Sequence, residues 1–419
     1  MHSIFLLVSL TSVLFTSLSA HQPDELLNRI KQKAYCIVPI CDVVNRPLAN
    51  AQSSHEAVTL AYKNIPISWG PHSQDKAACP RIHQLLLHEI VHIIDETEHE
   101  VAIEIPDFKT INKENKLESI KGWVLKEHLR SLDTNSIRHL PESLSSANNQ
   151  MQVLALVSPF MDEDYVFYSA GTRFAMLHEA RANQIKERAS SHNYHAWAYD
   201  AYLKKFKIIE LPQQICAYNT QSLPLQERKE LFCDLITLWA TYPLFIPLVW
   251  GGASIGKAWE HNDYYAASHG TESGETLSVW ERPKYGEQVY QGIDASNLVA
   301  RAAQTVGIDY QYRNTSTAAA FMDELYMYEW PENGDLIWVP GGMLIINKLE
   351  RNRAVSAFSY GAGYGIVVEL PLAEIFKDIS TYDDLMQAYR SKTPLTLLNQ
   401  DGSIARTINE YKILRFARD

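Results

Sequence analysis

A histidine, a glutamate and a second histidine occur at metal-binding spacing in the segment His88-Glu89-Ile90-Val91-His92. On a helix, histidines four residues apart share one face and can bind zinc, with the glutamate acting as general base. On a strand, the same two histidines lie roughly 13 Å apart along the chain. Four of the five residues from 90 to 94 are β-branched, which favours a strand and therefore no metal site. A zinc metallopeptidase using His88, Glu89 and His92 stays open as an alternative function.

A second stretch that could support chemistry begins at Asp294-Ala295-Ser296. The apolar residues after it recur at helical spacing, namely Leu298, Val299, Ala302, Ala303 and Val306, and Gly307 follows them. This pattern predicts a helix over residues 297–306. Ala295 lies just before this range and is therefore expected at the N-terminal start of the helix. Asp294 is suited to cap the helix, because a carboxylate accepts hydrogen bonds from the unpaired N–H groups of a first turn.

Length and composition are those of a folded globular protein. The 419 residues suffice for roughly two to four domains, and hydrophobic residues make up 46% of them. The formal net charge of -11, with no Lys- or Arg-rich run, argues against a nucleic-acid partner. We expect no cofactor.

The first 20 residues have the outline of an export signal. Residues 4–18 are mostly apolar, and residues 17–20 supply the small side chains of a cleavage site. The apolar run is short for a spanning helix, so we expect cleavage and a periplasmic or extracellular protein; an N-terminal membrane anchor is the alternative. No second apolar stretch of membrane length follows.

Five cysteines are present, at Cys36, Cys41, Cys79, Cys216 and Cys233. In an exported protein, an odd number leaves at least one thiol unpaired or paired between molecules. Cys36 and Cys41 are close enough in sequence for a local disulfide.

The chain upstream of the Asp294 helix divides into β-rich stretches. Residues 21–50 are a lead-in, and residues 51–132 alternate apolar and polar positions in short runs such as 57–62 and 100–105, as in a small antiparallel barrel. Within them, residues 84–93 and Gly122-Trp123-Val124 resemble a strand and the closing motif of bacterial SH3 domains. Residues 150–220 are a second, weaker β-rich stretch, in which residues 205–212 are a strand. A polar linker at 135–150 separates the two, and residues 225–242 have helical spacing.

The region from 225 onwards resembles the NlpC/P60 cysteine peptidases. The segment Gly292-Ile293-Asp294-Ala295-Ser296-Asn297-Leu298-Val299 is similar to the Gly-Phe-Asp-Cys-Ser-Gly-Leu-Val of that family. Four motifs occur in the family's order, at residues 249–252, 292–299, 333–341 and 364–370. The resemblance implies an α+β fold, in which a papain-like NlpC/P60 domain (225–419) is preceded by two small SH3-like β-barrels (51–132 and 150–220).

At the positions that match the family's catalytic residues, this sequence has residues of other types. Ala295 replaces the cysteine, and Gly342 replaces the histidine that accepts its proton. The third, polar position falls within residues 356–362, where Ser356 and Ser359 are the only short polar side chains. A methyl group cannot form a thiolate, so the resemblance implies a protein without the family's nucleophilic chemistry. Residues 253–291 form an insertion longer than the family usually has.

The resemblance implies ligand contacts at Asp294, Ser296 and Trp250, because in family members with SH3 modules this aspartate helps bind the free amino group of a muropeptide stem. The expected function is that of an exported envelope protein that binds peptidoglycan peptides, or an envelope partner protein, without cleaving them. One alternative is an active peptidoglycan endopeptidase of the γ-D-glutamyl-diamino acid type, with an atypical site supplied by residues 253–291. The zinc metallopeptidase is the other.

Overall fold

The computed structural model describes residues 32–50, 52–65, 79–141, 153–177, 193–218, 220–241, 246–256, 291–359 and 362–417. Residues 1–20, predicted to be an export signal, and residues 257–290 of the predicted insertion lie outside the described residues. The fold is mixed α/β, rich in strands and with few helices. None of the described helices is both long enough and apolar enough to cross a membrane.

Residues 32–131 build a seven-stranded sheet. Its strands are Gln32–Cys36 (β1), Ile40–Val44 (β2), Arg81–Leu86 (β3), Ile90–Glu96 (β4), Glu100–Ile111 (β5), Leu117–Leu125 (β6) and Leu129–Ser131 (β7). Their order is β3-β2-β6-β5-β4-β1-β7, and the pairs are antiparallel. Two strands of this sheet, β1 and β2, therefore fall within the stretch 21–50 that was expected to be a lead-in.

The run 57–62, which the alternating pattern predicted as a strand, lies instead in the helix His55–Lys63 (α1). Ser54 caps this helix, since its hydroxyl oxygen accepts a hydrogen bond from the Ala57 backbone N–H at 3.3 Å. Val58 and Tyr62, four residues apart, are its buried side chains. The strand prediction is wrong because a spacing of four residues, as between Val58 and Tyr62, fits both the alternation of a strand and the repeat of a helix.

Residues 153–218 form three small antiparallel sheets. The strands are Val153–Leu156 (β8), Phe160–Met161 (β9), Phe167–Tyr168 (β10), Arg173–Ala175 (β11), Asn193–Asp200 (β12), Lys205–Pro212 (β13) and Cys216–Tyr218 (β14). They pair as β11-β8-β14, β9-β10 and β12-β13. Strand β13 has the bounds that the sequence predicted. Across the described ranges no sheet closes on itself, so the two SH3-like barrels stay a prediction.

Residues 225–417 carry five of the six α-helices in the described ranges, together with a five-stranded sheet. The helices are Leu225–Trp239 (α2), Ala295–Thr305 (α3), Thr315–Phe321 (α4), Leu372–Ile375 (α5) and Tyr382–Ser391 (α6). The strands are Ala253–Ser254 (β15), Gly292–Ile293 (β16), Leu336–Val339 (β17), Gly342–Asn347 (β18), Arg353–Ala357 (β19), Val367–Pro371 (β20), Phe376–Lys377 (β21), Leu395–Leu398 (β22), Ile404–Ile408 (β23) and Lys412–Leu414 (β24). The main sheet has the order β20-β19-β18-β17-β24, a smaller one is β21-β22-β23, and α3 packs on β18 and β19.

The seven-stranded sheet and the C-terminal region share one hydrophobic core. Val43 and Leu85 of the first sheet belong to the same buried cluster as Leu298 and Val299 of α3. Helix α3 is therefore buried around most of its circumference, which fixes the position of its first turn. This shared core brings the first sheet to one side of the cleft described below.

A buried polar cluster crosses the same junction. The guanidinium of Arg301 on α3 donates to the Gln84 carbonyl oxygen at 2.7 Å, to the Ala253 carbonyl oxygen at 2.8 Å and to the Glu89 carboxylate. Arg301 is almost fully buried, so these acceptors replace the water it gives up. The cluster ties α3 to strand β3 and to the turn after it.

All five cysteines are free thiols, and Cys36, Cys41 and Cys79 are buried. The local disulfide that the Cys36–Cys41 spacing allowed is not formed.

Candidate functional site

The first turn of α3 is held by the side chain of Asp294. Its Oδ1 accepts hydrogen bonds from the Asn297 backbone N–H and from the Ser296 hydroxyl, both at 2.8 Å. Asp294 is thus the helix cap that the sequence predicted. Oδ2 faces the guanidinium of Arg313 at 3.3 Å.

Glycines allow the chain to pass closely behind this turn. A Cβ atom on Gly292 would lie 2.2 Å from Cγ2 of Val249, and one on Gly252 would lie 2.4 Å from the Gly292 carbonyl oxygen. Only glycine therefore fits at these two positions. The close approach brings Trp250 to the same cleft as Ala295.

Ala295 is the first residue of α3 and is partly exposed at the wall of a cleft of about 1150 Å³. A thiol at this place would lie at the positive end of the helix dipole, which lowers a cysteine pKa. The side chain present is a methyl group. A methyl group has no reactive atom, so Ala295 itself offers no nucleophile.

The other two positions that the motif comparison aligned with catalytic residues line the same cleft. Gly342 is the first residue of β18, and Ser356 lies on β19, two strands that pair antiparallel. The Ser356 hydroxyl donates to the Met343 carbonyl oxygen at 2.6 Å, so it is engaged with the backbone. Among the described residues that line the cleft there is neither a histidine nor a cysteine. The structure therefore places Ala295, Gly342 and Ser356 in the lining of one cleft.

Arg313 is a site residue that the sequence reading missed. It is buried, and its guanidinium donates to the Ser296 hydroxyl at 3.1 Å and to the Ile82 carbonyl oxygen, besides its ion pair with Asp294. Its own backbone N–H donates to the carbonyl oxygen of Lys109 on β5 at 2.9 Å. Arg313 therefore connects the first turn of α3 to the first sheet. No spacing in the sequence relates it to Asp294.

Charges of both signs surround the cleft. Besides Asp294 and Arg313, its lining includes Glu118 and Lys121 from β6. Arg81 also lines it, but its guanidinium is buried and pairs with both oxygens of Asp42, at 2.7 and 2.9 Å. Trp250, 43% exposed, adds an indole surface. The three expected ligand contacts, Trp250, Asp294 and Ser296, thus line one cleft.

A buried histidine lies beneath this region on β3. His83 packs edge-on against Phe108, with ring centroids 4.6 Å apart. Burial, and then the positive charges of Arg301 and Arg313, hold its pKa well below the usual range. His83 is therefore neutral at physiological pH, and it is not among the residues that line the cleft.

The His88–His92 segment is neither a helix nor one continuous strand, because His88 and Glu89 lie in the turn between β3 and β4, two strands that do not pair with each other. His88 lies between β3 and β4 with a left-handed φ of 74°, and its Nε2 accepts from the Tyr199 backbone N–H at 3.1 Å. Burial lowers the pKa of His88 to about 3. Glu89 pairs with Arg301, and His92 lies on β4. In the part of the chain that the structure describes, no three His, Cys, Asp or Glu side chains converge as a metal site would require.

Comparisons with known proteins were made for family, sequence and structure. No family model and no curated protein matches the chain. A Bacillus cereus NlpC/P60 family protein of known structure is similar over 81% of this chain and 94% of its own, with 12% identity and a TM-score of 0.49. An NlpC/P60 endopeptidase from Photobacterium damselae is similar over 92% of this chain and 73% of its own, with 9% identity and a TM-score of 0.44. NlpC2 from Trichomonas vaginalis covers 92% of this chain and 98% of its own, with 9% identity and a TM-score of 0.31.

The chain thus resembles NlpC/P60 proteins in its structure comparisons as well as in its sequence motifs. Fold and cleft together define a strand-rich α/β protein with an open cleft at the start of helix α3.

Proposed function

We propose that this protein is an exported, catalytically silent member of the NlpC/P60-like proteins, which binds peptides of the cell envelope in the cleft at α3 without cleaving them. The observation that carries the proposal is Ala295 at the first position of α3, on an open cleft that Gly342 also lines. The predicted export signal supports the location, and the peptidoglycan stem is the expected ligand. An envelope protein is the other candidate partner.

Hydrolysis by a cysteine peptidase needs a thiolate to attack the carbonyl and a base to carry the proton. Ala295 provides no atom that could form the covalent intermediate. Gly342 provides no side chain that could accept a proton, and the Ser356 hydroxyl donates to a backbone oxygen. Each missing group alone would raise the barrier by several kcal/mol, and here they are missing together.

The charges of the cleft favour a ligand that carries both an amino and a carboxyl group. Asp294 and Glu118 can attract an ammonium group, and Lys121, exposed on β6, can attract a carboxylate; Lys121 and Glu118 lie 3.9 Å apart, so a ligand would share these charges with that pair. Trp250 supplies an apolar surface for the aliphatic part of an amino acid. Short peptides with a diamino acid, as in peptidoglycan stems, have this combination. Because Arg313 already pairs with Asp294, the amino group would share the carboxylate with it rather than replace it.

The proposal is tested with a soluble, sugar-free stem tetrapeptide. Titration calorimetry should show binding by the wild type, and binding about tenfold weaker in Trp250→Ala, since the indole surface is lost. Trp330→Ala is the matched control, because Trp330 is similarly exposed, at 41%, and does not line the cleft. Chromatography of the mixture after prolonged incubation should show intact peptide. Released dipeptide that disappears in Asp294→Ala would show an active enzyme, and no binding by the wild type would reject the ligand class.

A further inference from the structure

Three aromatic side chains stand exposed on the segment that follows α4. Tyr326, Tyr328 and Trp330 occupy alternate positions and are 57%, 80% and 41% exposed. The two tyrosine rings are nearly parallel, with an interplanar angle of 6° and centroids 5.8 Å apart. Burying large aromatic rings is favourable, so a cluster left in solvent indicates a surface that is covered by something else. We call these three residues the aromatic surface.

Local hydrogen bonds hold the aromatic surface in place. The Glu329 backbone N–H donates to the Tyr326 carbonyl oxygen at 2.9 Å, and the Glu329 carboxylate accepts from the Tyr326 N–H at 2.9 Å. Arg390 on α6 donates from Nε to the Met327 carbonyl oxygen at 2.6 Å, and its guanidinium carbon lies 5.5 Å from the centroid of the Trp330 ring. A turn fixed in this way loses little conformational entropy when a ligand binds.

A hollow of about 560 Å³ adjoins Trp330, lined also by Asp383, Gln387, Arg390 and Ser391 of α6. Asp383, Gln387 and Arg390 follow one another at intervals of four and three residues, so they project from one face of the helix. All of them are exposed. The hollow thus combines one aromatic wall with a wall of donors and acceptors, and none of its residues lines the cleft at α3.

We propose that the aromatic surface and this hollow bind a saccharide chain. A pyranose ring has an apolar C–H face, which packs on a flat aromatic ring, and hydroxyl groups at its edge, which hydrogen-bond to planar polar side chains such as Asp383, Gln387 and Arg390. An interfacial membrane site would place its aromatic and aliphatic side chains among several lysines or arginines, whereas an aspartate, a glutamine, a serine and one arginine line this hollow beside Trp330. Where the proposed function holds, the glycan strand of peptidoglycan supplies the saccharide; this extension rests on that function, whereas saccharide binding by the surface does not.

The test uses two probes, a soluble N-acetylglucosamine tetramer and peptidoglycan glycan strands freed of their peptides. Calorimetry should show that the wild type binds both probes, and that Tyr328→Ala and Trp330→Ala each bind about tenfold more weakly, because each removes one stacking ring. Tyr202→Ala is the matched control, since Tyr202 is 93% exposed on the turn between β12 and β13. Its affinity should equal that of the wild type. Thermal unfolding of each variant shows that the fold is retained.

The proposal is overturned if the wild type binds neither saccharide at millimolar concentration, or if both aromatic variants bind as the wild type does. Loss of binding to anionic lipid vesicles in these variants, without saccharide binding, would also overturn it and assign the surface to a membrane. The experiments distinguish failure of the saccharide proposal from failure of the proposed peptide binding at α3. Trp250→Ala should weaken binding of the sugar-free stem peptide and leave the tetramer unaffected, and Trp330→Ala should do the reverse.

Discussion

The carboxylate of Asp294 has two roles that one pair of substitutions can separate. It caps helix α3 through the Asn297 N–H, and it presents negative charge at the cleft beside Arg313. Asp294→Asn keeps an oxygen that can cap the helix, since asparagine caps about as well as aspartate, and removes the charge. Asp294→Ala removes both. Comparison of the two variants therefore distinguishes a structural carboxylate from one that also binds ligand.

The expected magnitudes follow from the contacts. In Asp294→Asn, the buried Arg313 loses its carboxylate partner at 3.3 Å but keeps the Ser296 hydroxyl and the Ile82 carbonyl oxygen. We expect the free energy of unfolding to fall by about 1–2 kcal/mol, as for the loss of one hydrogen bond to a charged group. Asp294→Ala adds the loss of the cap, about 1 kcal/mol, and of the Ser296 contact, so we expect a fall of about 2–4 kcal/mol.

Urea unfolding followed by circular dichroism measures the stability of both variants, and calorimetry with the stem tetrapeptide measures their binding. Both should lose at least about tenfold in affinity, because neither has the charge that attracts an amino group. If Asp294→Asn is folded and binds the peptide as the wild type does, the carboxylate is a cap only. Equal stability of the two variants would refute the capping argument.

Three further outcomes are expected. Arg301→Leu should lower the free energy of unfolding by about 3–5 kcal/mol in urea titrations, since it leaves the Glu89 carboxylate unpaired at the junction between α3 and the first sheet; a loss below about 1 kcal/mol would contradict this. Burial lowers the pKa of His88 to about 3, whereas the unfolded chain has the ordinary histidine pKa of about 6.5. Between these two pH values the unfolded chain binds one more proton than the folded chain. The free energy of unfolding should therefore fall by about 1.4 kcal/mol per pH unit as the pH decreases from about 6.5 towards 3. His88→Asn, which tolerates the left-handed backbone, should reduce that slope by one proton, and an unchanged slope would assign it to other groups. Ala295→Cys should be alkylated by iodoacetamide faster than the buried native thiols yet release no dipeptide, whereas cleavage by this single variant would show that a base is present after all.

The elements near the site were predictable where the signal is local. Helix α3 was expected from the apolar residues at helical spacing and from Asp294 at its cap, and the structure has it at Ala295–Thr305. Local signals failed where one pattern fits two periods, as in the run 57–62. They also failed at His88, because a left-handed histidine in a tight turn has no sequence signature of the kind that glycine or asparagine gives.

Contacts made over long sequence distances were not predictable from this one chain. Arg313 meets Ile82 and Asp294, and Arg301 meets Glu89 and Gln84, across separations that no periodicity encodes. Burial of an arginine also contradicts the ordinary preference of that residue for the surface. These two arginines hold the cleft together, yet only the folded chain places them there.

The absence of catalytic groups that we propose is compatible with the open cleft, because different atoms serve catalysis and the shape of the cleft. The first turn of α3 is held by the Asp294 cap and by Arg313, and neither contact involves the side chain at position 295. Strand β18 likewise does not depend on the identity of residue 342. A Cβ atom on Gly342 would lie 3.0 Å from Cγ2 of Val339, and a small movement of the valine would relieve that contact. Under the proposed function, a thiol and an imidazole can be absent from this wall while the contacts that hold the cleft remain, which is why binding and cleavage need separate assays in this protein.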